Sequence, residues 1–394
     1  MEYALHSDPM STPVLGEVFS SLVPLRCKWS ESVSQVRHIP QRPAAEGGPM
    51  KRQSNFEILR VLAMAMIVAM HFMLKGGIAV PMSEDGSLVN HAAWLIEAFC
   101  IVAANCYVLI SGYFLVEAEW KLKKLIMLAA QILFYSLLIP VICLVFGIGD
   151  VTAWSIYEWI FAVLPLQMDH YWFATSYVLL FMLVPVLGPG VRQLSQKQLQ
   201  ITIGILLFYY CVIKSLSPIR LSTDNYGYDL GWFICLFLIA AYIRLYGISF
   251  FEGKVKSLLI YVICSLGIFG ISAIAGFICR KVGALKYYMD MPFCYNYFLT
   301  LIGAVALFYV FKNMEAKENA ITTLLCNIAP YTFGIYLLHE NLAVRNLWPV
   351  WLGVEGVKGS LLFILQMLFA VVVVFAFGII VDFIRKKLFA LFKL

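Results

Sequence analysis

From Met50 onward the chain reads as ten apolar stretches joined by short polar connections. They run approximately over 56–74, 91–115, 123–146, 171–188, 199–216, 229–247, 256–279, 292–311, 324–341 and 360–384. Crossing the hydrocarbon core of a bilayer as a helix takes about 20 apolar residues, and these stretches have that length. Across all 394 residues, 62% are hydrophobic and 13% charged, where a soluble domain carries about 25% charged residues. The expected fold class is therefore all-α: a polytopic integral membrane helix bundle with about ten transmembrane helices. A further apolar, aromatic stretch, 152–164, is too short to span and is expected to lie along the interface or to re-enter.

An even number of spans puts both termini on one side. With that side cytoplasmic, its loops and ends carry 16 Lys and Arg residues, against 8 on the other side. The excess follows the positive-inside rule, although the loop at 280–290 runs against it. The expectation is a multi-pass protein of the cell inner (plasma) membrane with both termini cytoplasmic. Basic helix ends also explain the net charge of +6, and there is no basic run interleaved with aromatics of the kind a nucleic-acid groove needs. The lipid bilayer is thus an expected partner and nucleic acid is not. The ten cysteines are scattered without a C-x-x-C pair or zinc-ligand spacing, so no metal site is expected.

Residues 1–49 differ in kind from the rest, being polar and proline-containing. They are expected to be disordered or an over-extended reading of the gene, because Glu46-Gly47-Gly48-Pro49-Met50 resembles a translated ribosome-binding site. On that reading Met50 is the natural start, and 50–394 forms one membrane domain.

The first span holds ionisable residues where lipid tolerates few: Glu57, Arg60 and His71. Such groups face a protein interior or a water-filled path. Eleven helical residues turn the chain about 1100°, only about 20° past three full turns, so Arg60 and His71 share a face about 16 Å apart along the axis. Glu57 lies one turn before Arg60 on the same side. Histidine suits general-base work near neutral pH. Arginine suits an anionic group or a developing oxyanion. The bland alternative is a Glu57–Arg60 packing pair with His71 at the interface.

Other polar groups fall at related depths. Asn105 and Ser111-Gly112 interrupt the second span, where such residues are more often interhelical glue than ligands. His170-Tyr171-Trp172-Phe173 opens the fourth span, and an aromatic belt would account for Tyr171 and Trp172. The ninth span ends in His339-Glu340. Closing the bundle would bring His71, His170 and His339 together near one leaflet.

At these residues the chain resembles the acyltransferase 3 family of integral membrane acyltransferases. The matching pieces are Ser54-Asn55-Phe56-Glu57-Ile58-Leu59-Arg60 with His71 eleven residues on, Val108 to Leu115, and Tyr171-Trp172-Phe173 with Pro185. Trp232-Phe233, Ala241 to Tyr246 and Gly334 to His339 follow in the family's order. The resemblance implies transfer of an acyl group, usually acetyl, from acyl-CoA to a hydroxyl of a cell-envelope polysaccharide or a lipid-linked sugar precursor. It implies an essential pair in Arg60 and His71. Supporting or substrate-binding roles are expected for Asn105, Ser111, His170, Trp172 and His339. No cofactor would be permanently bound, since acetyl-CoA is the donor substrate. In the expected mechanism Arg60 positions the donor from the cytoplasmic side and Glu57 orients Arg60. His71 acts as general base, or else as a transient carrier of the acyl group. The alternative from another class is a secondary transporter or flippase for an envelope precursor, in which buried charges on a spanning helix are equally natural.

Overall fold

The computed structural model describes residues 53–168, 170–218 and 224–391. The expectations for residues 1–49 lie outside them. The regular structure among the described residues is helical, with no strand. In chain order the helices are α1 (Ser54–Lys75), α2 (Leu88–Cys100), α3 (Ala103–Leu115), α4 (Leu122–Phe146), α5 (Ile156–Val163), α6 (Trp172–Gln193), α7 (Gln196–Leu207) and α8 (Ile213–Leu216). They continue as α9 (Leu230–Leu245), α10 (Lys254–Val282), α11 (Lys286–Asp290), α12 (Phe298–Lys312), α13 (Ala320–Ile328), α14 (Thr332–His339), α15 (Trp348–Trp351) and α16 (Phe363–Leu391). Read as continuous rods, nine are long and apolar enough to cross a bilayer, and α9 is a tenth apolar helix of 16 residues. At 1.5 Å per residue α9 spans about 24 Å, short of a bilayer. It is enclosed by protein rather than lipid, with most of its side chains buried.

Four of the expected spans are interrupted, the eighth by a 3-10 turn at Met291–Phe293 and a non-helical stretch at 294–297 before α12. The second breaks at Ile101–Val102 between α2 and α3, and the ninth passes through a 3-10 turn at Ala329–Tyr331. In the fifth, a π-helical turn over Phe208–Val212 joins α7 to α8. The stretch at 152–164 forms the short α5, opened by a Ser155/Glu158 capping box.

α1 sits at the centre, packed against α2, α3, α12, α13, α14 and α16. Its charges therefore face protein, as their cost in lipid requires. Small residues permit the closest crossings, as is usual between membrane helices. A Cβ on Gly112 would lie 2.8 Å from the Ala240 Cβ, so α3 and α9 nearly touch. A Cβ on Gly334 would lie 2.5 Å from Asp382 Oδ1, where α14 meets α16. With the nine long rods and α9 running alternately up and down the bundle, the end of α1, the start of α6, the loop before α9, α11 and the end of α14 share one face. Arg60 lies toward the other.

Candidate active site

The last turn of α1 and the end of α14 bring His71, His339, Glu340 and Lys75 together. His339 is buried, and its Nδ1 lies 2.6 Å from the Ile335 carbonyl oxygen one turn back. A carbonyl can only accept, so the proton sits on His339 Nδ1, and Nε2 is left as an acceptor. His71 Nδ1 lies 3.0 Å from that Nε2 and 2.9 Å from Glu340 Oε1. Both neighbours are acceptors, which assigns the His71 proton to Nδ1 and makes Nε2 the basic atom of the neutral ring. Lys75 Nζ contacts the same Glu340 oxygen. A histidine held by a carboxylate at one nitrogen and free at the other is the arrangement of a general base. One donor atom from each of His71, His339 and Glu340 lies within 4.8 Å of the others, a spacing that a metal ion could use. Hydrogen bonding and Lys75 already account for the contacts of this group.

His71 lines a narrow cavity of about 40 Å³ with Met64, Ile67, Ala104, Tyr107 and Trp172. Phe173, Tyr295, Phe333 and Tyr336 complete the wall. On α1, Arg60, Met64, Ile67 and His71 follow one another at helical spacing, so the stripe expected from Arg60 to His71 is the face that meets this cavity. At its other end the Arg60 guanidinium pairs with Glu57 at 2.5 Å. Glu57 is nearly closed to solvent, while 29% of the Arg60 side chain is open. Tyr107, from the cavity wall, donates to the Arg60 carbonyl at 2.6 Å.

The model for the acyltransferase 3 family, an acyltransferase domain, matches residues 53–383. The chain belongs to that family. It is an integral membrane acyltransferase. No curated protein and no solved structure matches it.

The remaining sequence-predicted residues fall into two groups. Trp172 lines the cavity beside His71 and stacks on Tyr295, ring centroids 5.2 Å apart. Ser111 is half-buried on α3, one turn beyond Tyr107 on the same face and outside the cavity lining. Asn105 accepts from Trp232 Nε1 at 3.1 Å and donates to the Tyr295 carbonyl at 2.8 Å, so its amide ties the bundle together. His170 does not join the histidine pair. Its Nδ1 donates to the Phe161 carbonyl and its Nε2 accepts from the Leu342 amide, at 3.3 and 3.2 Å. Burial pushes its imidazole down to about 4. With both nitrogens committed, it fastens two connections. Tyr171 is not a belt residue either: it is 1% exposed and donates to the Leu337 carbonyl. Burial on that scale excludes contact with the lipid interface. The sequence alone marks no role for Glu340. Its adjacency to His339 was the only sign, and the partner that matters, His71, is 269 residues away.

Proposed function

We propose that the protein moves an acetyl group from acetyl-CoA to a hydroxyl of a cell-surface polysaccharide or lipid-linked sugar precursor. It would do so in the inner membrane with both termini cytoplasmic. The observation that carries this reading is the Glu340–His71 contact, which protonates Nδ1 and leaves Nε2 as a base on a ring lining the cavity. The acceptor hydroxyl loses its proton to Nε2 as its oxygen attacks the thioester carbonyl. The C–S bond then breaks, and the departing CoA sulfur takes the proton back from Nε2, so the base is regenerated. Glu340 holds the ring in the productive tautomer and stabilises the transient imidazolium. Arg60, about 16 Å away along α1, is the cation placed to grip a phosphate of the donor while its thioester arm reaches His71. Glu57 holds that guanidinium in line.

The test is transfer of label from [¹⁴C]acetyl-CoA to envelope glycan by the purified protein in detergent. His71→Ala should abolish transfer while leaving expression and thermal stability intact. Normal acylation by that variant would refute the mechanism. Movement of an envelope precursor across vesicles without any acetyl transfer would replace it with a flippase.

A further inference from the structure

A second and larger cavity, of about 740 Å³, opens beside the first. It is lined by Trp172, Asn225, Tyr226, Tyr228, Lys286 and Tyr287, together with Asp290, Met291 and Cys294. Its volume falls in the range of about 300–1,000 Å³ usual for small-molecule sites. Trp172 lines both cavities and is in ring contact with Tyr228 in the larger and Tyr295 in the smaller, at 4.4 and 5.2 Å. A molecule in the larger cavity therefore lies against Trp172, the side chain that also lines the His71 cavity.

The lining has a distinct chemistry. Tyr228 keeps 37% of its surface open although it sits in a concavity, and Trp172, Tyr226 and Tyr287 add three more aromatic rings. Aromatic faces with a few amide and carboxylate groups suit a pyranose, whose C–H face packs on a ring while its hydroxyls meet polar groups at the edge. The two charged residues, Lys286 and Asp290, stand one turn apart on α11 and are opposite in sign, which favours a neutral, hydroxyl-rich occupant over an ionic one.

The wall is also built at a cost. Tyr226 has φ of 59°, a left-handed conformation that is an outlier for a bulky residue and that clusters at ligand-binding sites. Asp224 holds it there, accepting from the Tyr226 amide at 2.9 Å and from Asn296 at 2.9 Å. Lys214, fully buried, pairs with Asp224 at 2.8 Å and lies 3.9 Å over the Tyr226 ring. Buried ion pairs are weak sources of stability, because desolvation offsets their attraction. The π-helical turn that ends just before α8, a feature frequent at functional sites, delivers Lys214 to this place.

We infer that this second cavity is the acceptor subsite. A neutral sugar unit packs on Tyr228 and Trp172, with Tyr226 held as a wall by the positioning residues Lys214 and Asp224, and presents its hydroxyl toward His71. The inference rests on the acetyl-transfer reading and adds to it the place and chemistry of acceptor binding.

The test uses the full chain in detergent, with [¹⁴C]acetyl-CoA and polysaccharide extracted from the envelope of cells lacking the protein. Tyr228→Ala and Tyr226→Asn, the latter keeping a residue that tolerates left-handed backbone, should each raise the acceptor KM about tenfold. That is the loss of one good stacking contact. The KM for acetyl-CoA should stay within about twofold. The exposed Asp290→Ala, which disturbs no packing, should raise acceptor KM in the same selective way. The paired variant Lys214→Met/Asp224→Leu removes both buried charges together and should also raise acceptor KM alone. A lower thermal midpoint with parental acceptor KM would overturn the positioning role. Unchanged acceptor KM in Tyr228→Ala and Asp290→Ala would overturn the subsite while leaving acetyl transfer standing. Label found on a non-sugar hydroxyl would overturn the sugar assignment. A parent protein that transfers no acetyl group would overturn the functional reading and the subsite with it.

Discussion

Glu340→Gln is the sharpest test of how His71 is held. The substitution keeps shape and removes charge from an oxygen 2.9 Å from His71 Nδ1. When His71 takes the acceptor proton it becomes a cation against that carboxylate. Two unit charges about 4 Å apart attract by about 4 kcal/mol at an effective dielectric near 20. Lys75 contacts the same carboxylate and satisfies part of its charge, which brings the net value toward about 3 kcal/mol, the upper end for a charge-assisted hydrogen bond. That corresponds to about a hundredfold fall in kcat. The glutamine amide can also turn its N–H toward His71 Nδ1 and force the proton to Nε2. The loss then approaches about 10⁴-fold, the size associated with a triad carboxylate made neutral. The assay is single-turnover transfer from acetyl-CoA, with the KM for donor and acceptor measured alongside. Both KM values should hold. Adding Glu340→Gln to His71→Ala should cost nothing further, since the two act as one unit. A Glu340→Gln protein that folds and retains kcat within about threefold of the parent would refute the reasoning.

Arg60→Lys keeps a positive charge but loses the planar fork, so the KM for acetyl-CoA should rise about tenfold or more with acceptor KM unchanged; titration of donor at fixed acceptor checks it. Gly334→Ala puts a methyl group 2.5 Å from Asp382 Oδ1, which is already fixed by Arg385, Tyr135 and Gln131. Overpacking there should cost about 1–3 kcal/mol, read as a lower thermal midpoint in detergent. His170 has its imidazole pushed from 6.5 down to about 4 by burial. Between those values the unfolded chain binds a proton that the folded chain does not, so this stability is present above pH 6.5 and is lost as pH falls toward 4. The slope is up to about 1.4 kcal/mol per pH unit. His170→Gln should flatten that part of the pH–stability curve without shifting the donor KM.

The bundle was legible because apolar length is a local property. Each of the ten expected stretches coincides with a described helix or helix pair, with ends displaced by a few residues. Helical phase was equally local, so the stripe from Arg60 through Met64 and Ile67 to His71 could be read from the spacing along α1. Contacts between helices have no such signature. Nothing in the sequence ties His71 to Glu340 rather than to His170, or sets the Asn105 amide against Trp232 instead of a ligand. The buried Lys214–Asp224 pair was hidden for a similar reason: one partner ends an apolar span and the other stands in a loop. Its use depends on a π-helical turn and a left-handed tyrosine, neither of which leaves a periodic trace.

In the proposed mechanism, placing donor grip and base on one rigid helix solves a problem particular to acyl transfer in a membrane. The two ends of α1 are fixed relative to each other by about 16 Å of helix, roughly half the hydrocarbon thickness. A highly charged nucleotide would not have to cross; only the slender thioester arm would lie along the cavity face of α1. The 40 Å³ cavity between them leaves room for a water or two, less than such an arm needs. On that reading donor binding widens the slot. On the same reading, closure in the absence of donor keeps water away from the acetyl-CoA path, and the proposed acceptor cavity adjoins it at Trp172, the one side chain that the two cavities share.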